Sequence, residues 1–249
     1  MQLKGAGLRP LPAQGAIGLA LAALVVGGWL ALHVFGVFFL VLEGGWVWTA
    51  PVMIALQTWL GVGLFIVAHD AMHGSLAPGR PRLNAAIGQL CVGLYAGFSY
   101  RRLHACHHRH HDAPGTASDP DFHAEQPHAL LPWFTRFFRS YFGGWEFARL
   151  ALALGVYLLL GAQPLNLMLF WGLPAIFSAV QLFVVGTWLP HRHRPGSDPD
   201  AEFGDRHRAR SLDWPWLASL LACFHFGLHR EHHRYPHVPW WRLPATRNR

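Results

Sequence analysis

Three long stretches without a charged residue dominate the pattern of apolar and polar positions along this chain. They run over residues 10–42, 44–69 and 150–190. A helix of about 20 apolar residues crosses the hydrocarbon core of a bilayer. The first stretch therefore predicts a crossing over residues 15–33 or a little beyond, and the second predicts another that ends at His69.

The third stretch is too long for one crossing and contains its own turn signal. A Gly-Ala-Gln-Pro sequence occupies residues 161–164, and glycine and proline are the strongest local signals of a turn. Two helices are therefore predicted, near 149–161 and 165–189. The first is short and could begin earlier, near Phe142. Pro174 is predicted to kink the second helix.

Two weaker apolar segments, Leu83–Tyr100 and Trp214–Leu228, are Gly-rich or short for a crossing. Their Trp and Tyr residues suit the depth of the membrane interface, so we predict interfacial or partly embedded helices there. The predicted fold is all-α and integral to the membrane. It is a single domain, residues 1–249, with four transmembrane helices and a cytoplasmic helical cap that carries three histidine clusters.

Composition supports a membrane protein. The chain is 52% hydrophobic and 13% charged, whereas soluble domains are about 25% charged. The net charge of +7 is compatible with nucleic acid or with an anionic membrane surface. Because no nucleic-acid-binding motif is present, the apolar stretches favour the membrane and no nucleic-acid partner is expected.

The positions of the basic residues predict the orientation. With four crossings, all 20 Lys and Arg residues fall in 1–9, 70–149 and 191–249, and the opposite side carries only Glu43. Positive charge concentrates on the cytoplasmic side of membrane proteins. We therefore predict a multi-pass protein of the inner (cytoplasmic) membrane with both termini in the cytoplasm. The uncharged run after the basic N-terminus is longer than a signal-peptide core, so it is predicted to remain as an anchor.

Histidines gather just beyond the apolar stretches, in three clusters with repeated spacing. The first reads H-x3-H and the other two read H-x2-H-H. Residues three or four apart share one face of a helix, and neutral imidazole is the commonest metal ligand near neutral pH. The clusters therefore predict a two-metal site on the cytoplasmic side. The candidate ligands are His69, His73, His104, His107, His108, His229, His232 and His233.

His191 is a candidate ninth ligand, because it follows the last predicted crossing at the depth where His69 leaves its own. Neither the Glu-x-x-His pairs of carboxylate di-iron bundles nor the H-E-x-x-H of zinc proteases is present. Histidine suits Fe, Zn, Cu and Ni. Two irons in an all-nitrogen shell would be competent to activate O2, and substrates that reach a site beside the bilayer would be lipids.

Together, the three clusters and the four-helix membrane frame resemble the membrane fatty acid desaturase and hydroxylase superfamily. Four segments closely resemble the bacterial beta-carotene ketolases within it. They are HDAMHGSL (69–76), DPDFH (119–123), LFVVGTWLPHR (182–192) and CFHFGLHREHHRYPHVPWWRLP (223–244). The similarity covers most of the chain from about residue 50 onwards. The chain departs from the family pattern in having both His110 and His111 after His-His-Arg, and their role stays open.

The resemblance implies two Fe2+ ions, O2 as co-substrate, and the eight cluster histidines as ligands together with His191. It also implies residues that hold a ligand imidazole by its free N–H or lie beside the site. These residues are Asp70, Asp119, Asp121, His225 and Glu231.

The activity implied by the resemblance is oxidation of C4 of a carotenoid β-ionone ring to a ketone, through two hydroxylations and loss of water. No nucleotide-binding loop such as G-x-G-x-x-G is present, so an external donor such as a ferredoxin is expected to supply electrons. The alternatives are a carotenoid ring hydroxylase, an acyl-lipid desaturase, or a histidine-rich metal transporter or metal-binding protein. Transporters place polar ligands at mid-membrane depth, where these crossings carry no charge.

Overall fold

The computed structural model of this protein describes residues 11–196, 198 and 202–247. Within these ranges every regular element is helical and no β-strand occurs, which confirms the predicted all-α fold for this part of the chain. Residues 1–9, whose charges entered the predicted orientation, lie outside the described residues. The single domain stays a prediction.

The α-helices follow one another along the described chain with short connections. In order they are α1 Gln14–Val34, α2 Ala50–Met72, α3 Pro81–Ala96, α4 Tyr100–Asp112, α5 Leu130–Tyr141, α6 Gly144–Leu159, α7 Pro164–Leu167, α8 Leu173–Phe183, α9 Leu189–His191, α10 Trp216–Cys223 and α11 His229–Arg234. Turns of π-helix occupy Phe35–Phe39, Met168–Gly172 and Val184–Trp188, and 3-10 helices occupy Gly44–Thr49 and Trp240–Thr246.

Three continuous helical segments are long and apolar enough to cross a membrane. They are Gln14–Phe39 with 26 residues, Gly44–Met72 with 29 and Pro164–His191 with 28. A fourth candidate is the pair α5 and α6, which meet at an angle of 78°. The described residues therefore contain three to four candidate spans, and the fourth crossing and the cytoplasmic position of the cap stay predictions.

Helix α6 begins earlier than residue 149, the start of the short helix predicted from the charge-free stretch. Its first turn contains Glu146, whose Oε2 accepts the N–H of Gly143 at 3.0 Å. A carboxylate at this position satisfies a free N–H and favours the positive end of the helix dipole. The buried carboxylate also lies within 3.7 Å of Arg149, which explains how two charges extend the helix beyond the apolar run.

In the last candidate span the α-helix widens into a π turn twice, each time shortly before a proline. The π turns Met168–Gly172 and Val184–Trp188 precede Pro174 and Pro190. Proline lacks an N–H, and its ring pushes against the carbonyl four residues earlier, which lies inside the π turn in both cases. The irregularity predicted at Pro174 therefore takes the form of a wider turn. The second turn sets the direction of the histidine that ends the span.

Helix α2 is the most buried of the candidate spans and packs against α1, α3 and α8. A Cβ added at Gly63 would lie 2.8 Å from the Phe224 ring and 2.9 Å from Val25. Small residues allow membrane helices to approach this closely. The packing fixes the end of α2, where His69 lies.

Helices α3 and α10 occupy most of the two segments for which interfacial helices were predicted. Helix α10 is shorter than its segment because Phe224 and His225 adopt φ values of 49° and 62°. This left-handed conformation ends a right-handed helix. The chain turns there and brings α11, with its histidines, beneath the end of α2.

Candidate metal centre

Two groups of imidazoles meet where α2, α4, α9 and α11 converge. In each group, every histidine contributes one ring nitrogen, and these nitrogens all lie within 4.8 Å of one another. The first imidazole group is His69, His73, His107, His111 and His232. The second imidazole group is His110, His191, His229 and His233.

Within each group the rings turn their Nε2 atoms toward one another. In the first group, Nε2 of His73 lies 2.7 Å from Nε2 of His107, and the Nε2 atoms of His111 and His232 are 3.0 Å apart. In the second, Nε2 of His233 faces two others, those of His110 at 3.1 Å and His229 at 3.0 Å. Nε2 of His233 carries at most one proton, so it cannot donate a hydrogen bond to both of these neighbours.

The buried nitrogens left without partners test whether metal ions fit these groups. Both ring nitrogens of His69 and Nε2 of His191 are buried and accept or donate no hydrogen bond. An unpaired buried polar atom is costly, and a bound ion at the centre of each group would satisfy it. The all-imidazole donor set is also one that iron accepts.

Four rings outside the candidate spans are in the protonation state that metal binding needs. Burial, reinforced by neighbouring histidines, holds the pKa of His107, His232 and His233 well below the usual value. The same causes lower the pKa of His111 to about 2. These rings are neutral at neutral pH, and only a neutral imidazole offers its lone pair to a metal.

His110 is held by a buried carboxylate. Its Nδ1 donates to both oxygens of Asp119, at 3.0 and 2.9 Å. Burial opposes a positive charge on this ring, but the Asp119 carboxylate outweighs burial and raises the pKa of His110. Nδ1 keeps its proton toward Asp119, so an ion in the second group would bind Nε2 in place of the ring's second proton. Such a carboxylate fixes the tautomer and orientation of a metal-binding histidine.

His191 is oriented in the same way by a backbone group. Its Nδ1 donates to the carbonyl oxygen of Arg208 at 2.7 Å, which leaves Nε2 as the lone pair toward the second group. A carbonyl can only accept, so the tautomer is fixed. His191, which was predicted at the end of the last span, is therefore part of the second imidazole group.

His104 and His108, both candidate ligands from the sequence, stand outside the two groups. The His108 ring is exposed at the edge of α4, with Nε2 3.3 Å from the carbonyl oxygen of Met72. Its ring lies 4.4 Å from that of His104, and the two ring planes are tilted by 51°. Residues 104–111 contain H-x2-H-H twice, in registers three residues apart, and the structure brings together the second. His110 and His111 replace the two predicted members.

The remaining residues expected beside the site have varied surroundings. Asp70 is buried, 3.8 Å from Nδ1 of His69, and Oδ2 accepts the N–H of Trp240 at 3.2 Å. Glu231 accepts a hydrogen bond from the Ser211 hydroxyl. His225 is buried between tryptophans and pairs its Nδ1 with the Ser219 hydroxyl at 3.1 Å, away from both groups.

Asp121 lies next to Asp119 and contacts it. Its backbone N–H donates to Oδ1 of Asp119 at 2.8 Å, and its carboxylate accepts a hydrogen bond from the hydroxyl of Tyr141. Burial raises the pKa of Asp121 to about 6, so the carboxylate stays ionised at neutral pH. Asp121 therefore supports Asp119 rather than a ring directly.

An apolar cavity of about 770 Å³ opens onto the centre. At one end it is lined by His69, His107, His110 and His229. Its wall then follows α6 from Phe147 to Leu158, about 16 Å of helix, and reaches the start of the last span. A long apolar molecule that enters from the bilayer can therefore place one end beside the histidines.

Comparison with known proteins agrees with this geometry. A family model described as fatty acid desaturase matches residues 45–151 and 127–249. Beta-carotene ketolases from two Paracoccus strains are 48% and 49% identical over 94% and 93% of this chain, and 93% and 92% of their own lengths. A beta-carotene ketolase from Haematococcus lacustris is 39% identical over 95% of this chain and 80% of its own length.

Proposed function

Since the chain belongs to the fatty acid desaturase family and groups within it with the beta-carotene ketolases, we propose that it oxidises C4 of the β-ionone ring of β-carotene to a ketone. The observation that carries the proposal is the pair of imidazole groups beside an apolar cavity that some of their histidines line. Relatives named beta-carotene ketolase supply the substrate, and relatives named beta-carotene 4-ketolase supply the position on its ring.

The proposed centre holds two iron ions, one in each imidazole group. The nine proposed ligands are His69, His73, His107, His111 and His232 for one ion, and His110, His191, His229 and His233 for the other. When bound, the irons supply the activation of O2 that no side chain provides. The chain itself keeps His107, His111, His232 and His233 neutral. At His110 and His191 it pairs Nδ1 with an acceptor, so that Nε2 faces the proposed ion.

The cavity is matched to a long conjugated hydrocarbon with a ring at each end. Phe134, Phe137 and Phe138 of α5 line it near the histidines, and they exclude water from the C–H bond to be oxidised. Farther along, Leu154 and Leu158 are 41% and 45% exposed. On a membrane helix such residues face lipid, which gives the substrate a lateral entrance.

The proposed reaction balances as two hydroxylations and one dehydration. In each hydroxylation, the C4–H bond and O2, with two electrons and two protons, give C4–OH and water. The second hydroxylation leaves two hydroxyl groups on C4, and loss of water gives the ketone. The conjugated double bond next to C4 weakens the C–H bond, which makes this carbon the site of oxidation.

The electrons must come from a separate donor, for which a one-electron carrier of the ferredoxin class is proposed. Exposed arginines on α4 and α5 surround the approach to the centre, among them Arg101, Arg109, Arg136 and Arg139. Positive charge of this kind attracts an acidic partner and raises its association rate. The proposed location is the inner membrane, with both termini in the cytoplasm.

Expression in bacterial cells that make β-carotene tests the proposal. Cells with the chain should accumulate carotenoids with one or two 4-keto rings, and the purified protein should contain about two irons per chain by elemental analysis. Hydroxylated rings without ketone would show a ring hydroxylase. Unchanged carotenoids with new double bonds in acyl lipids would show a desaturase. Either result would overturn ketolation.

A further inference from the structure

Beside the histidines, the wall of the cavity contains a hydrogen-bonded pair, Tyr141 and Asp121, that is not part of the proposed ligand set. Tyr141 ends α5, and only 8% of it is exposed. Its hydroxyl donates to Asp121, and both residues line the cavity together with His107 and His110. The neighbouring side chains Phe137 and Phe138 on the same helix are apolar, so this hydroxyl is a local exception in the wall.

The position of Tyr141 relative to the proposed irons follows from its partners. The carboxylate of Asp121 lies within 4.8 Å of a ring nitrogen of His110 and of the Asp119 carboxylate. The Tyr141 hydroxyl is one hydrogen bond beyond Asp121. A ring that is held for oxidation beside His107 and His110 therefore has its reacting edge close to this hydroxyl.

On the basis of the proposed function, we propose that Tyr141 binds the 4-hydroxyl group of the singly oxidised ring and retains this alcohol for the second oxidation. Unoxidised β-carotene offers no group to Tyr141, so the residue acts only after the first hydroxylation. The inference concerns the order and completeness of oxidation, which the relatives' names do not specify.

The hydrogen-bond inventory of the pair explains why the alcohol would be held and the ketone released. A tyrosine hydroxyl has one proton and can also accept. Its proton is directed to the Asp121 carboxylate, which can only accept. The oxygen of Tyr141 is therefore free to accept a hydrogen bond from an alcohol. A ketone has no proton to donate, so it finds no partner there unless Tyr141 gives up its bond to Asp121.

The test compares Tyr141→Phe with Tyr100→Phe, a matched change at another buried tyrosine that does not line the cavity. Cells that make β-carotene report the ratio of 4-hydroxy to 4-keto rings. Binding of 4-hydroxylated carotenoid and of β-carotene to the purified proteins in nanodiscs, without a reductant, reports affinity independently of turnover.

For Tyr141→Phe, the ratio of hydroxy to keto rings should rise and the affinity for the alcohol should fall, each by about three- to tenfold, as for loss of one hydrogen bond. Affinity for β-carotene should stay unchanged, which also shows that the variant is folded. Tyr100→Phe should leave both quantities at the wild-type value. A wild-type ratio and wild-type alcohol affinity in Tyr141→Phe would overturn the inference.

A second variant, Asp121→Asn, tests the direction of the tyrosine proton. An amide can donate to the tyrosine oxygen, which frees the tyrosine proton for a ketone. The preference of the purified protein for alcohol over ketone should therefore fall, and an unchanged preference would contradict the arrangement. If the wild-type chain forms no 4-oxygenated ring at all, the proposed function fails. If it forms ketone but Tyr141→Phe behaves as the wild type, only this inference fails.

Discussion

The two imidazole groups differ in how the chain supports them. The first is built mainly from α2 and α4, whose histidines lie on facing helical turns and contact one another ring to ring. The second draws on α4, α9 and α11, and two of its rings are held by Asp119 and the Arg208 carbonyl. The first group therefore depends mainly on helix spacing and on His232 from α11, whereas the second also depends on a carboxylate and a loop that tertiary packing brings in.

The largest expected effect separates ligands from bystanders on α4. His111→Ala should abolish ketone formation and lower the iron content, while His104→Ala should keep both. Removing the partner of a metal ligand already costs about 10–100-fold, so removal of a ligand should cost at least the upper end of that range. Pigment analysis and elemental analysis of both variants measure this, and loss of iron in His104→Ala would restore the other register of H-x2-H-H.

These two variants also concern the part of the site that the sequence did not predict, which is the register of the histidines on α4. The apolar stretches predicted four crossings, three of which correspond to continuous helical segments long enough to span a membrane. They also predicted the place of His191, because hydropathy and helix length are local properties. The second cluster was predicted in the register His104, His107 and His108, whereas the structure groups His107, His110 and His111 with the other rings. The sequence could not distinguish them, because both H-x2-H-H patterns put three rings on one face of α4. The choice depends on which turn of α4 meets α11. The sequence signal for the second register was the additional pair His110 and His111, together with Asp119, which follows His110 by nine residues.

The next largest effect concerns the buried Asp119 carboxylate, which holds His110 of the second group. Asp119→Asn keeps the size of the side chain but removes the charge that fixes His110. Activity and iron retention should fall about 10–100-fold, with the loss confined to one of the two ions. Iron content measured during dialysis against a chelator should drop from about two ions to about one per chain. Loss of both ions at the same rate would show that the groups are not independent.

A smaller effect distinguishes the centre from the cavity that serves it. Leu154→Trp fills the cavity wall on α6, whereas Leu152→Trp adds the same ring on a side chain that is 71% exposed and outside the lining. The first variant should lower affinity for β-carotene by about tenfold, since added bulk in a packed site costs about 1–3 kcal/mol. Both variants should keep their iron. Equal carotenoid binding in the two variants would place the substrate elsewhere.

The smallest expected effect comes from a charge pair at the surface of the second group. Arg230, next to His229, pairs with Asp205 at 2.7 Å, and the two side chains are 54% and 29% exposed. Water and salt screen such pairs, which contribute about 0–1 kcal/mol. Arg230→Gln should therefore shift thermal unfolding only slightly and leave the iron content unchanged. The contrast with Asp119→Asn is the sharpest form of the comparison, because both variants break a carboxylate contact near the same group. If Arg230→Gln released iron as readily as Asp119→Asn, burial would not be what makes the Asp119 carboxylate effective, and the second group would owe its support to net charge alone.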